Sequence, residues 1–147
     1  MKKAINILFL LGAIFAIVDA LLYLGVSIFF FIAAYNEELL DMIATNITST
    51  ISSLEDSELF RMALSAYLFN FATTFLAFTV LSIIAIPIFL NGRKQFDILY
   101  IPTLGPFVKA VVFGCFTNYC GLIAGILGLV YRAKLIKEKN NQVVVEQ

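Results

Sequence analysis

The chain has 147 residues, 61% hydrophobic and 14% charged, with a mean hydropathy of +0.96, fifteen Phe, no Trp and no His. Globular chains are about half apolar and a quarter charged, so a soluble fold of this length has too little interior for so much apolar surface. The same composition argues against disorder, a collagen-like rod, a disulfide scaffold and a nucleic-acid binder, and the missing histidine removes the commonest general base and transition-metal ligand. These features predict an all-α integral membrane protein.

Three apolar stretches follow one another along the chain. Residues 5–34 are interrupted only by Asn6, Asp19 and Ser27, and residues 62–90 carry scattered Ser and Thr with Asn70. Residues 96–131 contain Asp97, Pro102, Pro106, Lys109 and Asn118. A spanning helix needs about 20 residues, so the first two stretches read as single long or tilted helices. The third, at about 1.5 Å per residue, would reach roughly 54 Å as one helix. That is too long for one crossing.

Charge decides the count. Lys2 and Lys3 precede the first span, Arg93 and Lys94 follow the second, and Arg132, Lys134, Lys137 and Lys139 lie beyond the third stretch. The intervening loop holds Glu37, Glu38, Asp41, Glu55, Asp56 and Glu58 against Arg61. Cytoplasmic segments are enriched in Lys and Arg, and only an even number of crossings returns the tail cations to the cytoplasm. The expected architecture therefore has four transmembrane helices at about 5–34, 62–90, 96–115 and 118–132. The third and fourth form a short hairpin broken near Phe116–Tyr119, with an outer loop at 35–61, a frayed cytoplasmic tail at 133–147 and both termini cytoplasmic. Asn91-Gly92 reads as the stop of the second span, since both residues tolerate the left-handed conformation that ends helices. Pro87 is expected to kink that span. A broken or re-entrant segment around Pro102 and Pro106 is the rival for the last hairpin, acceptable where protein covers its backbone. Met1-Lys2-Lys3 followed by an apolar run resembles a signal peptide, but the run continues past any signal-type apolar core. It reads as an uncleaved anchor.

Within the outer loop, Leu40, Ile43, Ile47, Ile51 and Leu54 recur at helical spacing. An extracytoplasmic amphipathic helix is expected there, acting as a lid or a docking surface for a partner, with a capping box at Ser53-x-x-Asp56 starting the second span. Its acidic polar face does not suit anionic lipid, and its carboxylates match no metal motif. Asn46-Ile47-Thr48 has the form of a glycosylation sequon, which has no bearing in the bacterial source that the residue usage suggests.

Inside the spans, Gly121 and Gly125 form G-x-x-x-G, extended by Ala124 and Gly128, while Gly12, Ala16 and Ala20 make a similar stripe on the first helix. Such stripes let backbones approach where lipid offers no hydrophobic drive. They are expected to join the first and last helices, with homodimerisation as the alternative. Asp19 and Lys109 are charged within apolar stretches, which calls for a functional hypothesis. Counted from the cytoplasmic ends, Asp19 stands about 22 Å up the first helix and Lys109 about 20 Å up the third. With Asn118 and Thr74 they would form one intramembrane polar layer containing an Asp19–Lys109 ion pair. That layer is either a register-fixing pair or a proton or ion relay. Cys115 and Cys120 flank the expected turn as a possible disulfide or as two free thiols.

The run Gly121-Leu-Ile-Ala-Gly-Ile-Leu-Gly-Leu-Val-Tyr-Arg, with the order of long span, outer loop, basic turn and tight final pair, resembles small four-span membrane proteins of unassigned function in Gram-positive bacteria. The resemblance implies no reaction, cofactor or site. The functional expectation is a non-enzymatic accessory, regulatory or immunity-type membrane subunit whose partners are the lipid bilayer and another membrane protein or a second copy of itself, with no metal and no nucleic acid. The alternatives are a small oligomeric transporter or channel using the Asp19/Lys109 layer, and a holin-like pore former.

Overall fold

The computed structural model describes residues 1–48, 57–98 and 101–145, and among these every regular element is helical: α1 (Lys2–Tyr35), α2 (Glu37–Thr48), α3 (Ser57–Ile98), α4 (Gly105–Phe116) and α5 (Tyr119–Val145). Three helices are long and apolar enough to cross a membrane, within Lys2–Tyr35, Glu58–Phe96 and Tyr119–Asn141. The proposed capping box at Ser53 and Asp56, and the outer-loop residues Ile51 and Leu54, lie outside the described residues.

The residues form two compact units, Met1–Ala20 with Val80–Gln147, and Leu21–Thr79. The first unit contains the start of α1, the end of α3, and α4 and α5. Its core is aromatic. Phe9, Phe89, Phe96 and Phe107 are fully buried with Ile5, and the Phe107 ring centroid lies 5.1 Å from that of Phe96 and 6.0 Å from that of Phe9. Tyr131 of α5 joins through Phe96 at 5.7 Å. Outward-facing Ile7, Val112 and Ile126 are about half exposed, an arrangement suited to lipid, where dispersion and close packing hold helices together.

Several boundaries differ from the sequence expectation. Asn91-Gly92 does not end the second long helix, and α3 runs through Pro87 and on to Ile98. No described residue has a positive φ, so no left-handed glycine stops a helix. Gly92 instead makes room: a Cβ there would meet the Phe9 ring at 2.7 Å. Phe96, expected to open a third span, belongs to α3. The 96–115 helix is thereby replaced by non-helical residues 101–104 and a 12-residue α4. At about 1.5 Å per residue α4 reaches roughly 18 Å, short of the ~30 Å hydrocarbon core. The connector is tethered, with Thr103 N–H and Oγ1 both donating to Gln95 Oε1 (3.0 and 2.7 Å) and Arg132 Nε donating to the Pro102 carbonyl (2.9 Å). The tail expected from residue 133 onwards is helical as far as Val145, as a continuation of α5.

The second unit contains the rest of α1, α2 and the start of α3. Ser27 Oγ donates to the Ala72 carbonyl (2.8 Å) and Ser65 Oγ to that of Ala34 (2.9 Å), fixing α1 and α3 as antiparallel neighbours. Rings of Tyr23, Phe30, Phe71 and Phe75 stack along this seam. Asn36 separates α1 from α2 and caps the latter, its Oδ1 accepting from Leu39 N–H (3.1 Å). Glu37 and Glu38 complement the positive end of that helix. Helix α2 buries Leu40 against Ala33, Ala34 and Leu68 with Ile43 packed alongside, Ala44 is also buried, and Arg61 pairs with Asp41 across to α3 (2.8 Å).

Candidate functional site

The α4–α5 hairpin is built from glycine. A Cβ on Gly114 would collide with the backbone of Leu122 and Gly121, and one on Gly125 would sit 2.8 Å from Val111 N and 3.0 Å from the Phe107 carbonyl. A Cβ on Gly128 would run into the Phe107 ring, and one on Gly121 into the tip of the Phe89 ring. The expected contact between the first and last helices rests on Gly12, whose Cβ position lies 3.1 Å from Gly121 N. Ala16, Ala20 and Ala124 are buried. Gly125 and Gly128 meet α4 rather than α1, and Gly121 meets both α1 and Phe89 of α3, so the small-residue stripe of α5 serves three neighbours.

Between α4 and α5, the break at Thr117-Asn118 falls within the segment where the sequence places a turn. Asn118 closes it with both ends of its amide. Its Oδ1 accepts from Gly121 N–H (2.9 Å), capping α5, while its Nδ2 donates to the Gly12 carbonyl (3.1 Å). Gly12 lies ten residues along α1 from Lys2, about 15 Å. The hairpin tip thus docks about half a hydrocarbon thickness from the basic end of α1.

Above this tip is a cavity of about 450 Å³, walled by Phe15, Asp19 and turn residues 114–120. Asp19 is half-buried, and among the described residues its carboxylate has neither a hydrogen-bond nor an ion-pair partner within the protein. Two of the polar groups lining the cavity are engaged elsewhere: Asn118 as above, and Thr117 Oγ1 donating to the Phe113 carbonyl (2.9 Å). Cys115 and Cys120 line the same cavity as unbonded thiols.

The expected Asp19–Lys109 pair does not form. Ion pairs among the described residues are Arg61–Asp41 and Lys134–Glu138 (3.8 Å). Because α4 begins at Gly105 rather than near Phe96, Lys109 is one turn into its helix, about 9 Å below Cys115 along the axis. It is exposed and borders a separate crevice of about 250 Å³ with Pro87, Asn91 and Pro106. Thr74 belongs to the second unit, where its hydroxyl donates to the Asn70 carbonyl of its own helix (2.8 Å). Of the four residues expected in one layer, Asp19 and Asn118 share a cavity and Lys109 is separate from it.

A second opening, of about 730 Å³, lies in the other unit between α1, α2 and α3, with Tyr35, Glu37, Leu40, Glu58, Arg61 and Phe69 among its walls. Of the lining residues, Tyr35 and Met62 are 75% and 73% exposed. No protein-family model matches the chain, and neither do the curated proteins or the solved structures compared with it.

Sequence reasoning missed two caps and one glycine. Asn36 and Asn118 each stand immediately before a helical run, the position where a side-chain acceptor serves the third residue of the helix. That signal was available. Gly114 carries no comparable signal, because its role is visible only once α5 lies against α4.

Proposed function

We propose that the chain is a non-enzymatic multi-pass membrane protein, with four membrane-embedded helices and both termini cytoplasmic, that acts as an accessory, regulatory or immunity-type subunit of another membrane component. The carrying observation is the outer opening, where apolar Tyr35 and Met62 stand beside acidic Glu37 and Glu58 and α2 is fastened by its Asn36 cap and the Asp41–Arg61 pair. A preorganised surface with exposed aromatic and acidic groups suits docking of a protein partner carrying basic and apolar residues. The orientation is supported by charge. Nine of the ten cations belong to the unit containing Lys2, Arg93 and Arg132, and six of the ten acids to the unit containing α2.

Native purification followed by mass spectrometry of the intact assembly tests this reading. A stoichiometric second membrane protein, lost on Glu37→Lys/Glu58→Lys replacement, is the expected result. A homo-oligomer without other proteins would overturn it in favour of a small transporter or channel, the reading favoured by the partnerless Asp19 carboxylate in its cavity. The resemblance to small Gram-positive four-span proteins accords with either role.

A further inference from the structure

We propose that the cavity at the α4–α5 turn is a water-filled cleft opening to the acidic face of the membrane, and that Asp19 makes it a binding site for small cations. The cation site does not depend on the accessory-subunit reading; the side from which the cleft opens rests on the orientation proposed with it.

A carboxylate within a membrane helix is costly unless it meets water, an opposite charge or a donor. Asp19 meets no protein donor among the described residues, and the Asn118 and Thr117 side chains beside it are committed elsewhere. The cationic side chain nearest in sequence on the hairpin, Lys109, borders a different crevice. The cavity therefore carries an uncompensated negative charge. Its volume of about 450 Å³ accommodates on the order of ten waters, enough to solvate a carboxylate and a hydrated ion together. A path for that water follows from length. The 12-residue α4 and the turn docked at Gly12 stop about 15 to 18 Å from the basic end, so the hairpin itself does not extend across the rest of a ~30 Å core.

The chain carries its own probes, because its two cysteines both line this cavity. After mild reduction, intact cells and inside-out vesicles are treated with cationic and with anionic membrane-impermeant methanethiosulfonates. Each pair of rates is normalised to that for a free thiol in solution, and the Cys115→Ser/Cys120→Ser protein provides the background. The expected result is labelling in intact cells with a cation preference of roughly five- to tenfold, the effect of one nearby carboxylate attracting one reagent and repelling the other. Asp19→Asn should abolish the preference and Asp19→Glu retain it. Should Asp19→Asn fail to accumulate, the wild-type preference must still shrink towards unity at high ionic strength. Thiols that are unreactive from both sides, or a preference indifferent to Asp19→Asn and to salt, would overturn the proposal. Reaction confined to inside-out vesicles with the preference intact overturns the outward opening and supports the cation site.

Discussion

Replacing Gly114 by Ala should force α4 and α5 apart. The added methyl would lie 2.6 Å from Leu122 Cα and 2.8 Å from the Gly121 carbonyl carbon, and closer still to Leu122 N, where ordinary contact is 3.4–4 Å. All three are backbone atoms, so no rotamer change relieves the overlap and the helices must separate by about 1 Å or deform. Overpacking of this kind costs about 1–3 kcal/mol, and the upper end applies where the obstacle is main chain. The better helix propensity of Ala returns up to ~1 kcal/mol. The net loss of about 2 kcal/mol corresponds to a fall in Tm of roughly 4–8 °C for a chain of this size. Gly25→Ala is the matched control, because nothing lies within 4 Å of its Cβ position in the middle of α1. It should be neutral or raise stability by about 0.5–1 kcal/mol. Far-UV circular dichroism melts of both variants in the same detergent provide the comparison. A Gly114→Ala protein melting with the wild type, or a Gly25→Ala protein falling as far, would refute the claim that backbone clearance holds the hairpin closed.

Asn118→Ala removes both the α5 cap and the tie to Gly12 and should lower stability by about 1–3 kcal/mol. Asn118→Asp, keeping the acceptor but losing the donor, should melt between the two. Gly92→Ala meets a ring rather than backbone, so its cost should be smaller and largely recovered in combination with Phe9→Leu; a double-mutant cycle with no coupling would show that the two do not touch. Arg61→Gln should change the melting temperature little, since an ion pair with both partners partly exposed contributes about 0–1 kcal/mol.

The class of molecule, the long apolar helices and the break before Tyr119 are legible because they depend on local composition and on residues that cap or break helices. What resisted reading depends on neighbours. Asn91-Gly92 has the look of a helix end, yet Gly92 is where α3 admits the Phe9 ring. Misplacing that end misplaced Lys109, whose height was counted along a helix that begins nine residues later than expected. The polar layer failed with it. The Asp19 cavity was half visible: an aspartate amid apolar residues announces itself, but its companion, the Asn118 turn, is brought there by a contact spanning 106 residues of sequence.

That contact also constrains the order of assembly. The Gly12 carbonyl already belongs to a membrane-length helix early in synthesis, but the amide that binds it exists only after residue 118 has been made. The tip of the hairpin carries a cap, a turn and a 12-residue helix too short to lodge alone. The tie that fixes the turn can therefore close only after most of the chain has been made, and the Gly12 end of α1 receives its partner from the far end of the sequence.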